Sequence, residues 1–265
     1  MAHFPAILKS KKQANQRITM LTAYDAMVAT LIAKAGVDVI LVGDSLGNTF
    51  AGHATTLPVT MDQMVYHTQA VVRGAPDALV IADMPFLSYQ SCIPTAIANA
   101  GRFLKEAGAQ GVKLETAAAQ VGTVQALTEA GIPVMAHVGL LPQSVNQLGG
   151  YAYQGKTDAE AIRLVGLCLD LQTAGAFAIV LELLPAALAA EITQALEIPT
   201  IGIGAGPNCD GQVLVISDLL GLQDRKLPGF VKPYASLHAP ILSAISQFKS
   251  EVDSGVFPGT GYTRK

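Results

Sequence analysis

Eight short apolar runs alternate with longer alanine-rich segments along the chain. Each run is rich in β-branched residues, which favour strands, and each intervening segment has the composition of a helix. The runs lie at residues 18–22, 37–42, 79–82, 111–114, 134–138, 176–181, 200–203 and 213–217. Strands that alternate with helices form parallel sheets, because the helix carries the chain back to the start of the next strand. Eight such units predict an α/β fold, the closed (β/α)8 barrel.

The predicted helices carry their own start and stop signals. Asp25 stands before a helical segment that Gly36 ends. Thr60 and Gln63 form a capping box at the start of another segment. These signals place helix boundaries between the predicted strands and agree with repeated strand–helix units.

Length and composition favour one barrel domain. The chain has 265 residues, and α/β barrels commonly reach about 250 residues as a single domain. We expect this domain to span residues 1–265, with a short N-terminal extension and an irregular tail at 254–265. Charged residues make up only 14% of the chain, against about 25% in an average soluble domain. So little charge leaves much apolar surface to bury, and we expect part of it to lie between the subunits of a homo-oligomer.

Charge and hydropathy exclude two classes of partner. The net charge is −3 and the basic residues are scattered, so the chain has no basic patch for nucleic acid. The best membrane candidate, residues 174–190, is interrupted by Gly175, Glu182 and Pro185. A carboxylate at the centre of a membrane helix costs about 2.5–3.5 kcal/mol. We therefore expect neither a nucleic-acid partner nor a membrane partner.

The N-terminus and the cysteines indicate a cytoplasmic protein. Residues 1–16 contain lysines after only a few apolar residues and lack the apolar core of a signal peptide. The cysteines are far apart in sequence and form no Cys-x-x-Cys pair, which argues against a disulfide framework and a zinc site. They are Cys92, Cys168 and Cys209.

Carboxylates follow three successive apolar runs. Asp44, Asp83 and Glu115 stand where the second, third and fourth predicted strands end. In a (β/α)8 barrel the carboxyl ends of the strands meet at one mouth, so these side chains become neighbours. Their hard oxygens suit Mg²⁺ better than zinc. Any one of them alone fits a helix N-cap or a surface ion pair, but together they predict a metal site.

Three further side chains have the chemistry of catalytic groups. Lys113 lies two residues before Glu115, so both face into the barrel, where Lys113 binds a substrate carboxylate or pairs with an acid. Glu182 follows the sixth run and is the expected general base, since an apolar setting makes a carboxylate more basic. The alternative is a solvated loop carboxylate. His137 either donates a hydrogen bond to the substrate or is a satisfied core histidine.

Two long glycine-rich loops, at residues 43–59 and 139–156, leave the predicted catalytic end of the barrel. They are candidates for substrate-binding loops or lids. The glycines of residues 202–206 suggest a dinucleotide loop only superficially, because the Gly-x-Gly-x-x-Gly spacing is incomplete and Pro207 follows. We expect these glycines to allow close approach of the backbone to a ligand or to a packed neighbour.

Ten motifs carry a resemblance to a known family. They are TMLTAYD at 19–25, VGDSLG at 42–47, LPVT at 57–60, YHT at 66–68, RGAP at 73–76, VKLE at 112–115, LPQSVN at 141–146, GGY at 149–151, GIGAG at 202–206 and SGVFP at 254–258. These motifs span essentially the whole chain, which resembles the ketopantoate hydroxymethyltransferase family.

That resemblance implies a (β/α)8 TIM barrel of the phosphoenolpyruvate/pyruvate type. It implies that Asp44, Asp83 and Glu115 form the Mg²⁺ site and that Glu182 is the base. The residues assigned to the 2-oxo acid substrate, from the resemblance or from their place at the strand ends, are Asp44, Ser45, Asp83, Lys113 and His137. The chain departs from the residues expected in relatives at Ala54 and Thr116, which concerns loop detail only.

The implied reaction belongs to pantothenate synthesis. It transfers a one-carbon unit from 5,10-methylenetetrahydrofolate to 3-methyl-2-oxobutanoate and gives 2-dehydropantoate. Mg²⁺ would polarise the oxo acid, and Glu182 would remove the C3 proton. The resulting carbon nucleophile would attack the folate methylene. The resemblance also implies a large homo-oligomer, commonly a decamer.

Three alternative functions remain open at this point. A Mg²⁺-dependent carbon–carbon lyase or mutase of the same barrel superfamily would use a similar site but would need no folate. A non-catalytic ligand-binding barrel is disfavoured by the presence of both Lys113 and Glu182. A dinucleotide-binding protein is disfavoured by the incomplete glycine motif.

Overall fold

The computed structural model describes residues 4–150, 152–224 and 226–263. They form two compact units, residues 4–215 and residues 216–263. The single domain expected over residues 1–265 stays a prediction, because this division concerns compactness and not independent folding.

The first unit is a closed barrel of eight parallel strands. Each strand pairs with its neighbours in chain order, and β1 closes the barrel against β8. The strands are β1 (Ile18–Thr22), β2 (Val39–Val42), β3 (Leu79–Asp83), β4 (Gly111–Glu115), β5 (Val134–Gly139), β6 (Ala178–Glu182), β7 (Thr200–Ile203) and β8 (Gly211–Leu214). The predicted (β/α)8 architecture is confirmed.

Helices occupy the segments before and between the strands. They are α1 (Phe4–Gln13), α2 (Ala26–Lys34), α3 (Leu46–Thr49), α4 (Met61–Gly74), α5 (Ile93–Lys105), α6 (Val121–Glu129), α7 (Val145–Leu148), α8 (Asp158–Thr173) and α9 (Ala186–Ala195). Short 3₁₀ helices lie at Ala118–Gln120 and Pro142–Ser144. No helix in the described ranges is both long enough and apolar enough to cross a membrane.

The predicted helix caps are present. The side chain of Asp25 accepts a hydrogen bond from N of Val28 and starts α2, and Gly36 follows that helix with a φ of +74°. Thr60 and Gln63 form the reciprocal capping box of α4. Local sequence signals therefore determine where these helices begin and end.

The predicted boundary of the eighth strand is wrong. Residues 213–217 were expected to form it, but β8 begins at Gly211 and ends at Leu214, and Ser217 belongs to a helix. A Cβ atom on Gly211 would lie 2.4 Å from the carbonyl oxygen of Ile18. The strand thus starts at a glycine that permits close approach to β1, a position that an apolar pattern does not reveal.

The amino-terminal part of the barrel interior is apolar. Buried side chains from the strands pack there, and Leu8 of α1 is buried with them. The ring of Phe4 contacts that of Phe177 edge-on, with 5.5 Å between centroids. Because Phe177 directly precedes β6, α1 covers the amino-terminal end of the barrel. The expected N-terminal extension is therefore a helix that contributes to the core.

The second unit contains α10 (Ile216–Leu219) and α11 (His238–Asp253). After α11 the described residues form a turn, a bend and a 3₁₀ helix at Thr260–Tyr262. Phe248 and Phe257 contact each other within this unit, with ring centroids 5.5 Å apart. The tail expected at 254–265 thus lacks long elements where it is described, and its last two residues lie outside the described part.

Candidate active site

The predicted site residues lie on neighbouring strands at the carboxyl-terminal mouth of the barrel. They are Asp83, Glu115 and Glu182 at the ends of β3, β4 and β6, Lys113 and His137 within β4 and β5, and Asp44 and Ser45 just after β2. The register sets Asp83 opposite Lys113 and Glu115 opposite His137. Residues that are far apart in sequence are brought together by parallel pairing, as the barrel topology requires.

A buried ion pair joins β3 and β4. Nζ of Lys113 lies 2.7 Å from Oδ1 of Asp83, and the two side chains are only 8% and 5% exposed. Burial lowers the pKa of Lys113, but the carboxylates of Asp83, Asp44 and Glu115 outweigh burial and raise this pKa above its usual value. Lys113 is therefore an ammonium group. The prediction that it pairs with an inward-facing acid is confirmed, and substrate binding by Lys113 stays a prediction.

Asp44 and Glu115 are buried carboxyl groups that both contact Gln143. Nε2 of Gln143 donates to Oδ2 of Asp44 at 2.8 Å. The backbone N of Gln143 lies 3.1 and 3.0 Å from the two carboxylate oxygens of Glu115. Burial and then the charge of Asp83 raise the pKa of Asp44 to about 7. Burial and then the charge of Asp44 raise the pKa of Glu115 well above its usual range.

His137 lies between Lys113 and Glu182. Its Nδ1 is 3.3 Å from Nζ of Lys113, and its Nε2 is 3.1 Å from Oε2 of Glu182. The second contact is close but lacks the angle of a hydrogen bond, so Nε2 has no hydrogen-bond partner among the described residues. Burial and then the charge of Lys113 lower the pKa of His137. His137 is thus not a fully satisfied core histidine.

Ser45 lies next to a buried tyrosine. Its Oγ is 2.9 Å from the hydroxyl of Tyr24, and burial raises the pKa of that tyrosine. A Cβ atom on Gly43 would lie 2.6 Å from Oγ of Ser45 and 3.5 Å from Oδ2 of Asp83. Glycine at this position therefore lets the strand end pack against two predicted substrate-binding groups.

The charges at the mouth fit a divalent cation. Asp44, Asp83 and Glu115 are buried together with Lys113, the one buried lysine or arginine among the described residues. Burial first and this excess of carboxylates second raise the pKa values of Asp44 and Glu115. Within the described residues, no group of three or more His, Cys, Asp or Glu side chains is arranged to hold a metal ion. Mg²⁺ usually binds one or two carboxylates and completes its shell with water and substrate oxygens, so this donor set fits it.

The glycines at residues 202–206 are explained by packing. A Cβ atom on Gly206 would lie 2.5 Å from Cβ of Ala186, the first residue of α9. A Cβ atom on Gly202 would lie 2.9 Å from Sγ of Cys209. Close packing against neighbouring residues accounts for both glycines. Of the two alternatives expected from sequence, a ligand or a packed neighbour, the structure shows the packed neighbour.

Three site-facing residues were given no role from sequence. They are Gln143, Tyr24 and Tyr89. Gln143 lies in the motif at 141–146 and Tyr24 in the motif at 19–25, so both belong to segments that resemble the family. The motifs alone did not indicate that Gln143 contacts Asp44 or that Tyr24 contacts Ser45. Tyr89 lies outside those motifs, and nothing in its local pattern indicated that its hydroxyl contacts Gln143 at 2.9 Å.

Solved structures with the same fold come from enzymes of the phosphoenolpyruvate mutase type. A phosphoenolpyruvate phosphomutase from Streptomyces platensis subsp. rosaceus is 15% identical, with a TM-score of 0.63 and coverage of 96% of this chain and 88% of that chain. A 2,3-dimethylmalate lyase of the PEP mutase/isocitrate lyase superfamily is 16% identical, with a TM-score of 0.58 and coverage of 98% and 90%. These likenesses show that the chain shares the fold of these proteins.

Sequence relatives are much closer. The 3-methyl-2-oxobutanoate hydroxymethyltransferase of Moorella thermoacetica is 54% identical over 258 residues, which cover 97% of this chain and 96% of the relative. The protein of the same name from Geobacter metallireducens is 51% identical over 256 residues, with coverage of 97% and 96%. The sequence profile of the ketopantoate hydroxymethyltransferase family matches residues 4–260. The chain belongs to the ketopantoate hydroxymethyltransferase family.

Proposed function

We propose that the chain transfers a hydroxymethyl group from 5,10-methylenetetrahydrofolate to 3-methyl-2-oxobutanoate in a Mg²⁺-dependent reaction that forms 2-dehydropantoate. The name shared by the relatives supports the acceptor and the transferred group. One observation carries the site assignment. Glu182 lies 3.1 Å from His137 at the mouth that also holds the buried ion pair of Lys113 and Asp83.

Lys113 has one donor left for the substrate. An ammonium group has three N–H donors. Asp83 takes one of them and Nδ1 of His137 takes another. The third donor has no partner among the described residues and would bind the carboxylate of the 2-oxo acid. The hydroxyl of Ser45, oriented by its contact with Tyr24, supplies a second donor to the same molecule.

His137 donates through Nε2. Lys113 has no acceptor, so the imidazole must accept at Nδ1, and a neutral imidazole then carries its hydrogen on Nε2. The lowered pKa of His137 favours this neutral form. Its unpaired Nε2 is therefore a donor for the oxygen of the oxo acid on which negative charge develops.

Glu182 acts as the general base. Its side chain is 17% exposed, so it is partly shielded from water while it remains reachable from the mouth. It removes the proton from C3 of the oxo acid, which leaves a carbon nucleophile. Asp44, Asp83 and Glu115 would hold Mg²⁺, which would supply Lewis acidity to stabilise the accompanying negative charge. C3 then bonds to the methylene carbon, and the two bonds from that carbon to N5 and N10 of the folate break. Water supplies the hydroxyl oxygen, and the proton from C3 and one proton from water go to the two nitrogens of tetrahydrofolate.

Product formation tests this function. Purified protein is incubated with 3-methyl-2-oxobutanoate and 5,10-methylenetetrahydrofolate, with Mg²⁺ or with excess chelator, and 2-dehydropantoate is measured by mass spectrometry. We expect product only with the metal and only with the folate. Turnover of 2-oxo acids without folate would instead support the carbon–carbon lyase or mutase alternative.

The assembly and location proposed for the chain are a homo-oligomer, with a decamer as the expected size, and the cytoplasm. Exposed apolar side chains on the helices of the barrel support self-association. They include Met27 and Leu31 on α2, Tyr66 on α4 and Ile162 on α8. Apolar surface of this kind commonly marks an interface between proteins.

A further inference from the structure

Every hydrogen-bonding position of the Gln143 side chain is used. Gln143 is buried on the 3₁₀ helix after β5. Its Nε2 donates to Oδ2 of Asp44 at 2.8 Å and to the carbonyl oxygen of Met84 at 2.9 Å. Its Oε1 accepts from the hydroxyl of Tyr89 at 2.9 Å and from Nε2 of Gln90 at 3.0 Å.

These partners fix the orientation of the amide. A backbone carbonyl can only accept hydrogen bonds, so Nε2 of Gln143 must face Met84, and on this side it also donates to Asp44. The opposite side faces the donors of Tyr89 and Gln90, which requires an oxygen there. A flipped amide would lose these hydrogen bonds, and buried polar groups without partners are costly.

The main chain of the same residue contacts a second carboxylate. The backbone N–H of Gln143 is shared between the two oxygens of Glu115. Gln143 therefore contacts two of the three carboxylates assigned to the metal. Asp44 follows β2 and Glu115 ends β4. The carbonyl that accepts from the Gln143 amide belongs to Met84, the residue directly after β3.

Both carboxylates keep lone pairs available for a metal. Each carboxylate oxygen has two lone pairs, and a single N–H occupies only a part of this capacity. The contact with Gln143 thus holds Asp44 through Oδ2 and Glu115 through both of its oxygens without closing either group to a cation. An anchored carboxylate presents its remaining lone pairs in a fixed direction, which is the usual role of groups behind metal ligands.

We propose that Gln143 is a positioning residue for the divalent metal. It holds Asp44 and Glu115 in the arrangement that binds the metal. This inference rests on the proposed Mg²⁺ site. Partners of metal ligands typically contribute about 10- to 100-fold to metal affinity. Loss of the Gln143 amide therefore weakens Mg²⁺ binding by a factor in this range.

The test compares Gln143→Met with a matched control, Gln110→Met. Methionine keeps the length of the side chain and removes the amide. The side chain of Gln110 accepts from N of Val80 at 2.8 Å and donates to the carbonyl oxygen of Ala78 at 3.3 Å. These contacts lie at the amino-terminal ends of β3 and β4, whereas the candidate site lies at their carboxyl-terminal ends. Titration calorimetry with MgCl₂ on the substrate-free proteins gives the dissociation constants. We expect binding about 10- to 100-fold weaker in Gln143→Met and unchanged in Gln110→Met.

Tyr89→Phe provides a second, milder variant. It removes the hydroxyl, which lies 2.9 Å from Oε1 of Gln143 and 3.1 Å from the carbonyl oxygen of Glu115, and leaves the contact of Gln143 with Asp44 in place. We expect a smaller loss of Mg²⁺ affinity, and the double variant should bind no more weakly than Gln143→Met alone, because both changes act through one network. Higher Mg²⁺ should also restore turnover of Gln143→Met, which a general loss of structure would not allow.

A dissociation constant for folded Gln143→Met within about twofold of wild type would overturn the inference. If that variant does not fold, unchanged affinity in Tyr89→Phe overturns it instead. Failure of the proposed function has a different signature. Wild-type protein that binds no Mg²⁺ would remove the metal from the proposed reaction, and the role of Gln143 with it.

Discussion

At the scale of single residues, the chemistry depends on how three side chains share hydrogens. Lys113 can only donate, so His137 accepts at Nδ1 and carries its hydrogen on Nε2, the atom that faces Glu182. Glu182 thus lies beside a neutral imidazole and not beside an imidazolium. In the proposed reaction the three groups have separate roles: Lys113 would bind charge, His137 would donate a hydrogen bond to the substrate and Glu182 would accept the proton.

Replacement of Glu182 tests its role as the base. We expect Glu182→Gln to lower kcat by about 10²- to 10⁴-fold, the usual contribution of a positioned base. Binding of Mg²⁺ and of the oxo acid should persist, because the amide keeps the size of the side chain. Steady-state kinetics and calorimetry measure the two effects. Wild-type turnover in this variant would show that another group removes the proton.

The pKa of Asp44 predicts how pH affects the metal-free protein. Folding raises this pKa from 3.8 to about 7, so the stabilising contribution of Asp44 is present at low pH and lost as the pH rises through about 7. We expect Mg²⁺ to raise the Tm more at about pH 8 than at about pH 6, because at the lower pH the metal must displace a proton. Scanning calorimetry with Asp44→Asn as control measures this difference. An equal rise in Tm on addition of Mg²⁺ at both pH values would contradict a metal site that includes Asp44 with a raised pKa.

Sequence patterns predicted the charged residues of the site but not the residues that position them. Asp83, Glu115 and Glu182 could be found because each ends an apolar run, and barrel topology brings strand ends together. Gln143 lies on a short 3₁₀ helix, and its contact with Asp44 joins residues that are 99 positions apart in sequence. No local periodicity encodes such a contact.

At the scale of elements, the strands extend to the residues that carry chemistry. β3, β4 and β6 end at Asp83, Glu115 and Glu182, each one residue beyond the predicted apolar run. Apolar patterns underestimate these strands because their last residues are polar, although the ladder continues. A different cause applies to β8, whose first residue is Gly211, because close approach to β1 sets the start of that strand. Patterns thus located the strands, whereas three-dimensional pairing set their ends.

Gly139 at the end of β5 tests the importance of this packing. Its φ is +104°, and a Cβ atom would lie 2.2 Å from the carbonyl oxygen of Glu182. We expect Gly139→Ala to lower the free energy of unfolding by at least about 2 kcal/mol and to reduce turnover, because Glu182 must shift. Gly122→Ala in α6 is the control, since its Cβ would meet nothing within 4 Å. Urea denaturation gives the free energy of unfolding, and steady-state kinetics give turnover. Equal values of both quantities for the two variants would refute this account.

At the scale of the whole molecule, the outer helices carry apolar side chains that a lone barrel would leave in water. Met27 and Ile162 are 78% and 73% exposed. We expect a homo-oligomer by sedimentation equilibrium, with Met27→Glu weakening its assembly, because a charge placed in an apolar interface is costly. A wild-type protein that sediments as a monomer would contradict this expectation.

Exchange of the substrate C3 hydrogen tests the central claim most directly. The protein is incubated with 3-methyl-2-oxobutanoate and Mg²⁺ in D₂O without folate, and the C3 hydrogen is followed by NMR. The account predicts exchange catalysed by the wild-type protein and little exchange with Glu182→Gln, because Glu182 removes this proton before the carbon–carbon bond forms. Equal exchange rates for the two proteins would contradict it.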